Sequence, residues 1–145
     1  MKYLVISDIH GSNYYAKKID EIVNNEKPDK IILCTRGNCD ADVDEMISEF
    51  EFKDSIELEL NNKKFFFTHG HKYNIDNIPQ NIDVLIYGHF HTGFIKEKDG
   101  IICVNAGSIS LPKNDTAHSY LIINDNVIIL KDIDDNIIDK KDYID

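Results

Sequence analysis

A chain of 145 residues is long enough to bury roughly two-thirds of the surface its unfolded form exposes, so one domain with a sizeable core needs no disulfide or structural zinc. A formal net charge of −10 excludes a groove for long nucleic acid, whose binding depends on Lys and Arg neutralising phosphates, but it admits small phosphate-bearing molecules where bound cations supply positive charge. The three cysteines, Cys34, Cys39 and Cys103, are odd in number and lack CxxC spacing, and Asp8 ends the apolar run of MKYLVISD short of a signal h-region or membrane span, so we expect a reducing, cytoplasmic location and no membrane partner.

YLVIS (3–7) is a continuous apolar run stopped by Asp8, the pattern of a strand buried on both faces. Ser12 can cap a following helix in which Tyr15, Ile19, Ile22 and Val23 recur at helical spacing, and Pro28 ends that segment. KIILC (30–34) predicts a second buried strand, and residues 41–50 predict a helix with Val43, Met46, Ile47 and Phe50 on one face. Strands then dominate. SIELELN and KKFFFTH flank a turn at Asn61-Asn62, and IDVLIYG (82–88) is again fully apolar. GFIKEK and IICVNAG flank Asp99-Gly100, and SYLIIND and NVIILKD flank Asp125-Asn126. The acidic stretches DADVDE and DIDDNIIDKKDYID read as solvated exterior. An α/β-like start and an antiparallel continuation predict strands in two packed sheets with helices outside.

Five of the six histidines fall into three local groups, Asp8-x-His10, His69-x-His71 and His89-x-His91. Each directly follows a predicted buried strand, and strand ends along one edge of a sheet are where α/β folds gather their sites. Histidine and carboxylate are donors for divalent transition metals. Gly11, Gly70 and Gly88 let the backbone turn sharply beside such a crowded centre. A single His is more often a packed or exposed residue, which is the reading of His118 in NDTAHSY.

Asp8-Ile9-His10-Gly11, Gly37-Asn38-Cys39-Asp40, Thr68-His69-Gly70-His71 and Gly88-His89-Phe90-His91 occur in the order found in calcineurin-like metallophosphoesterases, and the chain most resembles the small bacterial phosphodiesterases among them. NAGSIS (105–110) is similar to the Asn-Pro-Gly-Ser stretch of that family, with Ala106 in place of proline. The resemblance implies an α/β fold, a four-layer α/β/β/α sandwich, with two divalent metal ions, manganese or similar. It implies that Asp8, His10 and His91 hold one ion and Asn38, His69 and His89 the other, with a metal-bound hydroxide attacking a small phosphodiester in line. Asp40 would orient the ligands and backbone around it, and His71 would stand beside the ligands or be exposed. Arg36 is either a cation for the phosphoryl oxygens or a solvated loop residue. Many relatives have His where this chain has Cys39, which is a poorer proton donor to a departing alkoxide and suits leaving groups that need little protonation, or simply packs against the core.

One part of the pattern is missing. In the family the second buried strand ends in Gly-Asp, and that aspartate bridges both metals, whereas this chain has no Asp between Lys30 and Asp40. Only Thr35 and Arg36 separate Cys34 from Gly37, and a parallel crossover needs a dozen or more residues, so a βα segment is lacking near residues 33–36 of an otherwise single domain spanning 1–145. Two doubly charged cations about 4 Å apart repel by about 16 kcal/mol at an effective dielectric of 20, and the bridging carboxylate is a main offset. We therefore expect the functional protein to carry this segment. A chain without it would bind one metal weakly or none. The competing expectation is a catalytically weak or inactive scaffold of the same fold that serves protein interaction, and a homo-oligomer is compatible with either.

Overall fold

The structure is a computed structural model and describes residues 2–6, 13–33, 55–68, 73, 75–88, 93–107 and 118–144. In chain order these form β1 (Tyr3–Ile6), α1 (Asn13–Glu26), β2 (Lys30–Leu33), β3 (Ser55–Leu60), β4 (Lys63–Thr68), β5 (Val84–Tyr87), β6 (Phe94–Lys98), β7 (Ile101–Asn105), β8 (Ser119–Ile123), β9 (Val127–Asp132) and β10 (Ile137–Asp142). The predicted helix at 41–50 and the Ser12 cap lie outside the described residues. Among the described residues no helix is long and apolar enough to cross a membrane.

Two five-stranded sheets face each other, one ordered β10-β9-β8-β1-β2 and the other β3-β4-β5-β7-β6. β1 lies parallel to β2 and antiparallel to β8. In the second sheet β4, β5 and β7 are mutually parallel, and antiparallel β3 and β6 flank them. The expectation of an antiparallel second half is thus corrected. The hairpins exist, but their inner strands stack into a parallel centre, the arrangement that suits runs such as FFF, VLIY and IICV buried on both faces.

The period-two alternation of the strands sorts the core into layers. Val5, Phe65, Phe67, Val84, Ile86, Val104, Leu121, Ile123 and Leu130 fill the space between the sheets. On the opposite face of the first sheet, Leu4, Ile6, Tyr120 and Ile122 meet Ile19 and Ile22 of α1. Beneath the second sheet, Phe66, Leu85, Tyr87 and Cys103 are covered by Tyr73, Ile75, Ile78 and Ile82, so among the described residues an irregular segment, rather than a helix, packs on this outer face. Burial of each such side chain contributes about 1.5–3 kcal/mol, which is why continuous apolar strands occupy the middle of both sheets.

Turn chemistry fixes the hairpin registers. Asn61 and Asn62 have φ of 52° and 67°, and Asp99 and Gly100 have φ of 54° and 80°, the left-handed pairs that two-residue hairpins with matching twist require. The charged residues of the acidic tail are mostly exposed, as expected, and the tail also pairs as a strand. Asp132 Oδ1 accepts the N–H groups of Asp134 and Asn136, both at 2.9 Å, and this templates a turn that returns the chain as β10 along β9. The charged heads of β10 stay in water while its backbone pairs, and Tyr143 just beyond it is buried against Phe65.

An ionic cluster pins α1 to the first sheet. Glu26, at the end of the helix, accepts from Lys131 Nζ at 2.7 Å, Tyr120 OH at 2.9 Å and Lys2 Nζ at 3.1 Å, and Lys131 also reaches Asp135. Burial alone would raise the Glu26 carboxyl, but these donors outweigh it and hold it below the usual carboxylate range.

Candidate metal centre

Each sequence group singled out for metal chemistry follows the C-terminal end of a strand: Asp8 follows β1, Asn38 comes after β2, His69 follows β4 and His89 follows β5. Parallel pairing puts the ends of β1 and β2 at one edge of the first sheet, with Ile6 opposite Leu33. It likewise puts the ends of β4 and β5 together in the second sheet, with Phe67 opposite Ile86.

Hydrogen bonds at the two ends of the sandwich bring these edges to the same side. Ser119 opens β8, which runs antiparallel to β1, so it stands at the C-terminal end of β1. Its buried hydroxyl donates to the carbonyl of Ala106 at 2.9 Å, and Ala106 follows β7, whose Asn105 is the register partner of Tyr87 at the end of β5. At the far end, Asn61 of the β3–β4 turn donates to the carbonyl of Asp125 in the β8–β9 turn, and Tyr143 OH donates to the carbonyl of Asn124 at 2.5 Å. The strand starts are thereby gathered at one end and the strand exits at the other.

The exit side carries a buried polar network. Asn105 is fully buried, and both ends of its carboxamide are used: Nδ2 donates to the carbonyl of Gly88 at 3.2 Å, and Oδ1 accepts the N–H of Gly107 at 2.8 Å. The N–H of Ala106 donates to the carbonyl of Tyr87 at 2.9 Å, a bond that the proline found here in the related motif cannot make. Gly107 has φ of 74°, and a Cβ there would come within 2.0 Å of Ser119 Oγ. Tyr87, at the lip of this region, donates no charge to it: burial drives its hydroxyl pKa well above the ordinary value, against the smaller opposite effect of the Ile75 N–H bonded to it at 3.4 Å.

The predicted site residues Asp8, His10, Arg36, Asn38, Cys39, Asp40, His69, His71, His89 and His91 themselves lie outside the described residues. What the structure brings together is their points of departure, Ile6, Leu33, Thr68 and Gly88. Among the described residues no cluster of His, Cys, Asp or Glu has the makings of a metal site. His118 is half-buried at the entrance to β8, with its carbonyl accepting the N–H of Ile133 at 3.0 Å. A cavity of about 460 Å³ lined by Glu57, Glu59, Lys64, Gln80 and Asn81 lies beside the β3–β4 hairpin at the strand starts, away from the exits. Sequence patterns alone give Asn105, Gly107 and Ser119 no individual role. NAGSIS stands out as a motif, whereas nothing local marks Ser119.

The family model described as the calcineurin-like phosphoesterase superfamily domain matches residues 32–126. The chain belongs to this superfamily. Within it, phosphodiesterase YfcE of Escherichia coli K12 is 35% identical over 117 residues, which take up 78% of this chain, and the chain spans 60% of YfcE's length in that alignment. The probable metallophosphoesterase YsnB of Bacillus subtilis is 28% identical over 149 residues, covering 85% of this chain and 83% of its own. The solved structure of YfcE, a phosphoesterase from E. coli, superposes with a TM-score of 0.85 at 25% identity, over 99% of this chain and 100% of that one. Vps29 of Entamoeba histolytica, solved in complex with zinc, shares the fold with a TM-score of 0.71 at 19% identity. These findings agree with the resemblance carried by the four motifs and with the α/β sandwich it implies.

The nitrogen and oxygen donor types in the four motifs would suit a divalent transition metal. Of the donors that the family resemblance implies, Asp8 is the sole carboxylate.

Proposed function

We propose that this calcineurin-like phosphoesterase is a metal-dependent phosphodiesterase acting on small phosphodiesters. The observation that carries the reading is the gathering of the exits of β1, β2, β4 and β5 on one side of the sandwich, each leading directly toward a motif rich in metal donors. Divalent ions, when bound, acidify water and polarise phosphoryl oxygens. In this reading Asp8, His10 and His91 hold one ion and Asn38, His69 and His89 the other, and manganese or a similar ion meets their donor chemistry. Asp40 orients neighbouring backbone, Cys39 packs beside the site, His71 stands next to the ligands without binding, and Arg36 faces the anionic substrate. A reducing, cytoplasmic setting suits Cys103, a free and buried thiol. The test is hydrolysis of bis(p-nitrophenyl) phosphate with and without manganese. A rise in rate with manganese that His89→Ala abolishes is expected, and retained activity in that variant would overturn the assignment.

The missing aspartate bears on how active the chain can be. We propose that the fully active form carries an additional βα segment near residues 33–36. The alignment with YsnB supports this, because it extends over 149 residues while occupying 85% of a 145-residue chain, so the relative has residues without a counterpart here. An intact mass of 16.7 kDa for the active protein would refute it. The lost carboxylate also favours a second reading, a weakly active or inactive phosphoesterase-fold scaffold for protein interaction. Stoichiometric capture of a partner without metal-dependent turnover would select that reading.

A further inference from the structure

The connection between β5 and β6 leaves Tyr87 on one side of β7 and returns at Phe94 on the other, and both residues are register partners of Asn105. Gly88, next to Tyr87, and Gly93, next to Phe94, therefore stand on opposite sides of the end of β7. Both glycines are held by the turn that follows β7. At the entry, Asn105 Nδ2 holds the carbonyl of Gly88, the atom immediately before His89. At the return, Gly93 lies so close to Gly107 that a Cβ on Gly107 would stand 3.2 Å from the Gly93 backbone, and a Cβ on Gly93 would stand 3.0 Å from Ser119 Oγ. The Asn105 carboxamide simultaneously accepts the N–H of Gly107, so a single buried side chain couples the two holds.

We propose that Asn105-Ala106-Gly107 is a clamp that fixes both ends of the segment containing His89 and His91, and that Asn105 is a positioning residue for these two metal ligands. This rests on the metal-dependent reading above. Asn is suited to the task because one planar amide supplies a donor and an acceptor in opposite directions. Supplying both at a fully buried position leaves neither Gly88 nor Gly107 with an unpaired group, which would otherwise cost stability. A ligand whose approach is set before metal arrives loses less conformational freedom on binding. Partners that orient ligands without touching the metal typically change its affinity by about 10–100-fold.

The test is manganese titration by calorimetry of the fully active protein, with the βα segment proposed above, well below the unfolding temperature of each variant. Asn105→Asp retains the acceptor for Gly107 but loses the donor to Gly88. Gly93→Ala disturbs the return end gently, by the few tenths of an ångström that Ser119 must give. Glu26→Gln lowers stability at the remote end of α1 and serves as the control. The expected result is manganese binding weakened about 10–100-fold in Asn105→Asp, several-fold in Gly93→Ala, and unchanged in Glu26→Gln. Should Asn105→Asp not fold, Gly93→Ala alone decides. Unchanged affinity in the clamp variants, or equal weakening in Glu26→Gln, overturns the clamp. No manganese binding by the wild type overturns the clamp together with the metal-dependent reading. Wild-type binding that weakens as expected without any hydrolysis leaves the clamp standing and sinks the phosphodiesterase reading.

Discussion

Replacing Gly107 by alanine tests whether the exit side of the sandwich is built as described. Two costs are visible. At φ of 74° a Cβ meets its own backbone, a penalty of about 1–2 kcal/mol. The new methyl would also come within 2.0 Å of Ser119 Oγ, and the hydroxyl escapes only by rotating away and giving up its 2.9 Å bond to the carbonyl of Ala106. Losing that buried bond and leaving the carbonyl unpaired costs about 1–2 kcal/mol, so Gly107→Ala should destabilise by about 2–4 kcal/mol in all. Ser119→Ala removes the same bond directly and should cost about 1–2 kcal/mol by itself. In the double variant the bond is lost once rather than twice, so its cost should fall short of the sum by about 1–2 kcal/mol. Urea unfolding followed by circular dichroism, with the same m-value for all four proteins, measures each term. Additive costs within about 0.3 kcal/mol would refute the shared-atom explanation, and a Gly107→Ala variant as stable as wild type would refute the placement of the turn itself.

Glu26→Gln should cost about 1–3 kcal/mol at neutral pH, because three donors lose a charged acceptor. The folded carboxyl sits below its unfolded value, so its contribution is full above the unfolded pKa and disappears as pH falls through the folded one. Wild-type stability should therefore fall toward that of the variant on acidification, and parallel pH profiles would refute the linkage. Burial pushes the Cys103 thiol pKa up, so mass-mapped alkylation at Cys103 should be slow in the folded protein and fast in urea. Equal rates would show that β7 does not shield it. Tyr143→Phe should cost about 1 kcal/mol through loss of the bond to the Asn124 carbonyl, read as a lower urea midpoint.

The elements legible in the order of the amino acids are those whose cause is local. YLVI, the Ile31–Leu33 run of β2 and VLIY are continuously apolar over a length that suits a strand and is too short for a helix. Asn61-Asn62 and Asp99-Gly100 turn where they do because such residues tolerate positive φ. The resemblance to the family was legible for a similar reason, since each of its motifs is a run of four adjacent residues. The β10 strand was not legible, because IIDKKD between acidic residues has no alternating pattern, and only the Asp132 turn and the outer edge of β9 give it a partner.

The amino-acid sequence by itself therefore determined the apolar strands, the hairpin turns and the family, all of which depend on neighbours in the chain. Tertiary structure decided that β4, β5 and β7 run parallel, that the tail closes the first sheet, and that the exits of both sheets lie on one side. An apolar run satisfies a parallel or an antiparallel neighbour equally well, so the choice falls to contacts between distant residues. Ser119 and Ala106, joined by one buried hydrogen bond across the two sheets, are such a contact, and neither residue announces it in the sequence.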